Sequence, residues 1–219
     1  MISRKPLLLA SALSAGLVFS ASSQAALEAR ANGMFYDTVL NVTWLDVSVA
    51  DLSWQQAMDW ADALTHAGLS DWRLPSVSPV NGTAFQYDES VDGSSDWSYN
   101  INSPASELAH LYYVTLGNNG AYDNQGNYID GTLSQAGPFS QLQAGLYWTG
   151  VDYAPDAQNF AWSFLTDFGL QTDALKTGTG YAIAVHDGDV APVPLPPALW
   201  LFGSALAGLV GFRRKQPTI

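Results

Sequence analysis

The C-terminal segment of this 219-residue chain constrains its folding and destination most. An apolar run extends from Leu195 to Phe212 without a charged side chain, and three cations follow it. As a helix, this run would be about 27 Å long, close to the bilayer hydrocarbon thickness of about 30 Å. Because basic clusters stay on the cytoplasmic side, the pattern predicts a membrane span at about 196–212, with the preceding chain on the opposite side. The cations are Arg213, Arg214 and Lys215.

The N-terminal segment predicts export as well. Arg4 and Lys5 precede a short apolar run, and Ser23-Gln24-Ala25 has the small-x-small pattern of a cleavage site. This is the layout of a signal peptide over residues 1–25, cleaved after Ala25 by signal peptidase once the secretion machinery has engaged it. The alternative is a first transmembrane helix, which the short run diluted by Ser and Ala disfavours.

The C-terminal pattern resembles a PEP-CTERM sorting signal over residues 193–215. It has a proline-bearing motif, a short span and a basic cluster, although Leu195 stands where the name-giving motif has Glu. The resemblance implies recognition by an exosortase-type enzyme in the inner membrane, followed by transfer to the envelope surface or the extracellular space. A plain C-terminal anchor is the alternative, and retention or cleavage of the tail stays open. The residues of the signal are Val193, Pro194, Leu195, Pro196, Arg213, Arg214 and Lys215.

The part of the chain between these ends is strongly acidic. The chain has 20 acidic and 8 basic residues, and all the acidic ones lie between Glu28 and Asp189. The same part holds only three cations, Arg30, Arg73 and Lys176. Such a surface repels phosphate and sulfate polymers, which excludes nucleic acid as a partner. Neutral polymers, divalent cations and cationic surfaces are compatible partners.

Several kinds of chemistry are excluded by residue type or spacing. The chain has no cysteine, which rules out thiol catalysis and thiolate metal sites. His66, His110 and His186 lack metal-ligand spacing and are predicted to be surface or helix-end residues. The acidic loops at 88–96 and 123–130 lack the spacing of an EF-hand. We interpret them as solvated loops, predict no metal site or cofactor, and keep calcium as the alternative.

Two helices are predicted from the spacing of apolar residues. The first follows Ser53, which forms a capping box with Gln56, and it ends at Gly68. The second begins at Ser103-Pro104, with proline in its first turn, and ends before Gly117. Its predicted buried face consists of Leu108, Leu111, Tyr112 and Leu116.

Strand patterns lie on both sides of these helices. Residues 37–46 predict a hairpin with its turn near Asn41, and 167–169 predict a second turn. Helices early and antiparallel strands late predict one α+β domain. The three later β segments are predicted at 146–150, 160–164 and 181–185.

Aromatic residues fall into two groups. Tryptophans in predicted elements should pack in the core, whereas rings in polar loops can stack on sugar faces. Arg73 is predicted to satisfy a carboxylate or backbone carbonyls. The predicted core tryptophans are Trp44, Trp54, Trp60, Trp72, Trp148 and Trp162. The candidate ligand residues are Trp97, Tyr99, Tyr122 and Tyr128.

The order of several motifs resembles one bacterial family over roughly residues 33–190. Its most specific parts are the Trp-Arg-Leu-Pro motif at 72–75 and the Tyr-Trp-Thr-Gly motif at 147–150. These resemble the C-terminal domain of Lcl-type collagen-like adhesins, which implies a C-type-lectin-like fold. Formylglycine-generating enzymes share that fold but need cysteines that this chain lacks. The affinity of the adhesin for sulfated glycans needs cations, and this domain has only three.

The sequence therefore predicts an exported, envelope-sorted, non-enzymatic protein that binds or acts as a spacer within extracellular matrix. Neutral polysaccharide is the ligand class that the charge and the loop aromatics favour. The alternative is an envelope glycan hydrolase that uses paired carboxylates. A passive structural component is a third possibility.

Overall fold

The computed structural model describes residues 27–190, and their elements form two β-sheets with two short α-helices. Strands dominate, which makes this part of the chain a mixed α+β structure, as predicted. No helix within 27–190 is long and apolar enough to cross a membrane. The predicted signal peptide with Ala25 and the sorting signal at 193–215 lie outside the described residues.

The smaller sheet has four antiparallel strands in the order β1-β2-β3-β11. Its β2–β3 hairpin confirms the prediction around Asn41, which adopts the left-handed conformation with φ 54°. The buried Asp37 carboxylate accepts hydrogen bonds from the N–H groups of Val39 and Leu40, which fixes the turn. The strands are β1 Leu27–Arg30, β2 Met34–Asp37, β3 Val42–Leu45 and β11 Val185–Asp187.

The larger sheet has seven strands in the order β4-β10-β7-β8-β9-β6-β5. The β10–β7 and β5–β6 pairs are parallel, and the other pairs are antiparallel. Two of the predicted β segments therefore form neighbouring central strands, β7 and β8. The strands are β4 Val49–Leu52, β5 Glu89–Ser90, β6 Trp97–Ser98, β7 Leu146–Asp152, β8 Phe160–Leu165, β9 Leu170–Leu175 and β10 Gly180–Ala182.

The predicted strand at 181–185 is wrong as a single element. Tyr181 pairs with Tyr147 in the larger sheet, whereas Val185 pairs with Trp44 in the smaller one. Between them, Ile183 and Ala184 are both buried, so the alternation of a half-buried strand is lost here. The chain crosses from one sheet to the other at this point.

Helix α1 spans Trp54–Ala63, and the predicted capping box is confirmed. The Ser53 side chain accepts a hydrogen bond from the Gln56 N–H, and the Gln56 side chain accepts one from the Ser53 N–H. The predicted end at Gly68 is wrong, because the backbone becomes extended at Leu64. Gly68 instead lies in a tight turn, where its φ of 82° requires glycine-like freedom.

Helix α2 spans Glu107–His110 and continues as a π-helical turn over Leu111–Thr115. It begins after Ser106 rather than at Ser103-Pro104, because the Ser106 hydroxyl accepts the Ala109 N–H and donates to the buried Gln171 side chain. The predicted buried face is confirmed. Its residues, each at most 8% exposed, are Leu108, Leu111, Tyr112 and Leu116.

The two helices cover opposite faces of the larger sheet. Ala57 and Ala61 of α1 pack against a cluster that includes Trp148, whereas α2 packs against Tyr147 and Phe164. The core tryptophan prediction is confirmed for four residues and in part for two. Trp44, Trp72, Trp148 and Trp162 are buried, and Trp54 and Trp60 are partly buried.

Candidate functional site

Arg73 lines a cleft of about 450 Å³ to which α1 and β7 also contribute residues. Its guanidinium donates to both oxygens of Glu107 at 2.7 and 2.8 Å, to Asp187 and to the Leu74 carbonyl. All five N–H donors of the guanidinium are used in this way. The prediction for Arg73 is confirmed, and the group connects α2 to β11 rather than presenting a free charge to the cleft.

The other two cations of residues 27–190 are also engaged. Arg30 pairs with Glu28 and Asp189, and Lys176 pairs with Asp152. The Lys176 ammonium also lies 3.9 Å from the ring centroid of Trp54. The described surface therefore presents many carboxylates, while each of its cations is already paired.

Six aromatic rings form a cluster on the α2 side of the larger sheet, near the end of strand β8. Trp162 is fully buried and stacks on Tyr87 at 6.1 Å, while the edge of Tyr153 meets it at 5.1 Å. The remaining five rings are partly exposed, so the cluster is open to solvent on one side. We call it the aromatic cluster, and its members are Phe85, Tyr87, Trp97, Tyr153, Phe160 and Trp162.

Asp96 holds the loop that supplies two of these rings. Its fully buried carboxylate accepts hydrogen bonds from the Val80 N–H at 2.8 Å and from the Gln86 N–H at 2.7 Å. The Asp96 N–H in turn donates to the Gln86 carbonyl. Because alternate residues of an extended segment point the same way, fixing Gln86 directs Phe85 and Tyr87 together onto Trp162.

Asp173 adds a carboxylate to the aromatic cluster. It lies directly opposite Trp162 in the β8–β9 pair, so the two side chains share one face of the sheet. Burial raises the pKa of Asp173. Burial also raises the pKa of Tyr153, and the charge of Asp173 and the Tyr87 hydroxyl add to that shift. The Asp173 carboxylate and the hydroxyl groups of Tyr153 and Tyr87 therefore lie close together among the rings.

A groove of about 530 Å³ lies beside the aromatic cluster. Its lining includes the segment that carries Phe85 and Tyr87, together with Ser94 and Ser95. Asp88 and Glu89 line it and give it negative charge. The rings therefore offer an apolar surface next to an acidic groove that is lined with serine hydroxyls.

The four predicted ligand residues do not meet at one place. Trp97 joins the aromatic cluster, whereas the three tyrosines form a separate row. In this row, Tyr99 lies 5.1 Å from Tyr122, which lies 5.6 Å from Tyr128. Tyr99 is buried and Tyr128 is 63% exposed, so the row runs from the core to the surface.

The two acidic loops use aspartates to fix their own backbone. Asp96 holds the first loop, as described above, and Asp123 accepts the N–H groups of Gln125 and Asn127 in the second. Asp130 accepts a hydrogen bond from the Tyr128 hydroxyl. Within 27–190, no three histidine, aspartate or glutamate side chains are grouped to hold a metal ion.

The three histidines lie in different parts of the structure. His66 and His186 are both partly buried; His66 contacts the Asn32 carbonyl, and His186 lies at the edge of the smaller sheet. His110 is at the end of α2, as predicted, but only 3% of it is exposed. Burial lowers the pKa of His110, and the nearby charge of Asp37 opposes that shift.

Sequence reasoning missed most of the aromatic cluster. Phe85 and Tyr87 alternate around Gln86, which is a strand-like signal inside a segment predicted to be a loop. Asp173 was missed because β9 was not predicted. The segment Leu170–Leu175 contains several polar residues, so its sequence does not predict a strand, although its neighbours bury part of it.

Comparison with known proteins was made against family models and against curated proteins. Neither gave a match to this chain.

Proposed function

We propose that this chain is an exported cell-envelope or extracellular-matrix protein whose domain binds neutral polysaccharide without turning it over. The observation that carries this proposal is the aromatic cluster, which presents five partly exposed rings from the larger sheet and from the segments beside it. Rings of this kind can stack on the apolar faces of sugars while hydroxyls and carboxylates at the rim accept hydrogen bonds. Because all three cations of residues 27–190 are paired, this part of the chain offers no free cation to a sulfated or phosphorylated polymer.

The finer fold proposed for the domain is C-type-lectin-like, of the Lcl C-terminal type, over residues 33–190. The two family motifs support it, because both lie in the central framework of the described structure. Arg73 of the first motif connects α2 to β11, and the second motif forms the start of the central strand β7. Helices on opposite faces of an antiparallel-rich sheet are compatible with this fold.

Export and sorting are supported by the sequence patterns at the two ends. We propose that signal peptidase cuts after Ala25 and that an exosortase-type enzyme acts on the signal at 193–215. The domain would then reach the periplasmic side, and later the envelope surface or the extracellular space. Fractionating cells that carry the full chain, or a chain ending at Pro192, tests this part. Recovery of both forms in the cytosol, with the N-terminal segment intact, would contradict it.

The binding proposal is tested by calorimetric titration of the purified chain with neutral glucan and N-acetylglucosamine oligomers. Trp97→Ala should weaken binding about tenfold, because it removes a ring from the open side of the cluster. Tyr128→Ala is the matched control, since it removes an exposed ring from the tyrosine row. Equal losses in both variants, or no affinity for any oligomer, would contradict the proposal.

The hydrolase alternative has one observation in its favour. The raised pKa of Asp173 is what a general acid needs. The hydrolase alternative predicts that the protein releases shorter oligosaccharides. The Asp173→Asn substitution would then abolish this release and leave binding in place. Product analysis during the same titrations separates turnover from binding.

A further inference from the structure

We infer that the aromatic cluster takes a protonated amino group, so that its preferred ligand is a polysaccharide with free, non-acetylated amino sugars. This inference rests on the proposed function, because it keeps polysaccharide binding at the same site and replaces the neutral sugar units by units that carry an amine. It depends on three features of the described residues: a carboxylate to which no side chain donates a hydrogen bond, rings beside it that stand at right angles to one another, and a surrounding field that is negative.

The Asp173 carboxylate is the group that would pair with the amine. Within 27–190, no side chain donates a hydrogen bond to it and no cation pairs with it, although it lies opposite the fully buried Trp162. A partly buried carboxylate without a counter-charge loses solvation. A ligand cation restores that interaction, whereas a neutral sugar can offer only hydroxyl donors.

The rings around Asp173 suit a cation. Tyr153 stands at 83° to Tyr87, at 90° to Trp97 and at 80° to Trp162. Perpendicular rings present their negative faces in different directions, and an ammonium group is attracted to such faces. A sugar can stack flat on one of these rings alone. The perpendicular arrangement of the rings therefore adds a preference for a cation, which sugar stacking does not require.

The long-range charge of the domain favours the same ligand. Asp88 and Glu89 line the groove next to the cluster. All three cations of the described part are held in ion pairs elsewhere. This field attracts a polymer that carries a positive charge on each unit and repels uronic or sulfated polymers. A divalent metal is a poor occupant, because within 27–190 no three carboxylate or imidazole groups converge to bind one.

The experiment titrates the full chain, in mild detergent, with three oligosaccharides of equal length. These are glucosamine oligomers, N-acetylglucosamine oligomers and glucose oligomers, each measured at low and at physiological salt. We expect glucosamine oligomers to bind about tenfold more tightly than the acetylated ones, with a preference that shrinks as salt rises. Asp173→Asn should remove the preference and leave the weaker affinity for neutral oligomers.

Asp51→Asn is the matched control. It removes the same charge from an exposed position on β4, the opposite edge strand of the same sheet. Its φ of 59° is one that asparagine adopts readily, so the fold should tolerate it. The control should keep the amine preference, and near-ultraviolet circular dichroism should show that both variants retain their packing.

The outcomes separate the two levels of the proposal. Equal affinity for glucosamine and N-acetylglucosamine oligomers overturns the amine inference and leaves polysaccharide binding intact. A similar loss in Asp173→Asn and Asp51→Asn also overturns it, because net charge would then be the cause. Oligolysine that binds as tightly, with the same dependence on Asp173, would assign the site to basic peptides instead. No binding of any oligosaccharide overturns the proposed function itself.

Discussion

Glu107 and Asp173 are two shielded carboxylates whose surroundings differ sharply. Glu107 receives two N–H donors from Arg73 and the Ser76 backbone N–H, so its charge is fully compensated. Asp173 lies among aromatic rings and receives no side-chain donor within 27–190. One region therefore uses its charge to hold the fold, whereas the proposed function pairs the charge of the other with a ligand.

The largest expected effect comes from breaking the compensated region. Arg73→Ala leaves the nearly buried Glu107 carboxylate without its cation, and removing one partner of such a pair is strongly destabilising. We expect the free energy of unfolding to fall by about 3 kcal/mol, measured by urea denaturation. Arg73→Lys should lose less stability, because it keeps the positive charge although it lacks the several N–H donors of the guanidinium. An unchanged midpoint for Arg73→Ala would show that the ion pair is dispensable.

A pH effect of intermediate size should come from His110, at the end of α2. Burial lowers its pKa in the folded state below the ordinary value of 6.5, so the unfolded chain takes up the proton more readily. Stability should therefore be complete above about pH 6.5 and fall as the pH drops, by at most about 1.4 kcal/mol per pH unit. Thermal unfolding between pH 7.5 and 5 measures this.

His110→Asn provides the control, since it cannot take up a proton in this range. Its melting temperature should vary less between pH 7.5 and 5 than that of the unchanged chain. Parallel profiles for the two proteins would place the titrating group elsewhere.

The smallest expected effect comes from the uncompensated carboxylate. Because burial raises the pKa of Asp173, its ionisation disfavours folding, and this cost appears as the pH rises from about 3.8 through the folded-state pKa. Asp173→Asn should therefore stabilise the chain at pH 7 by about 0.5 kcal/mol, since solvent reaches the group. The gain should vanish below pH 3.8. Calorimetric melting at both pH values measures it, and a destabilised variant at pH 7 would contradict the comparison.

Local signals predicted the parts of the fold that local contacts build. The capping box at Ser53 and Gln56 and the hairpin turn at Asn41 involve neighbours in sequence, and both are confirmed. The ends of α1 and α2 were predicted less well, because packing against distant residues decides them. Ser106 begins α2 because its hydroxyl meets Gln171, which is distant in the chain.

The candidate site could be predicted only in part, because its residues are brought together by the sheet. Loop composition identifies Trp97, but Tyr153 comes from the segment after β7 and Asp173 comes from β9. No spacing pattern in the sequence connects such positions. The tyrosine row shows the opposite error. Loop composition predicts that Tyr99 contacts a ligand, but the fold buries this residue.

Strand β11 has a mechanical consequence. The Val185 backbone exchanges two hydrogen bonds of 2.9 Å with Arg73, while the same strand pairs with β3 on its other side. A pull on the chain beyond Val190 would be resisted by both neighbours at once, and by the Arg30–Asp189 pair. If the proposed tail fastens the protein to a surface, tension from a captured polymer would reach this strand first, and the domain should withstand that load without unfolding.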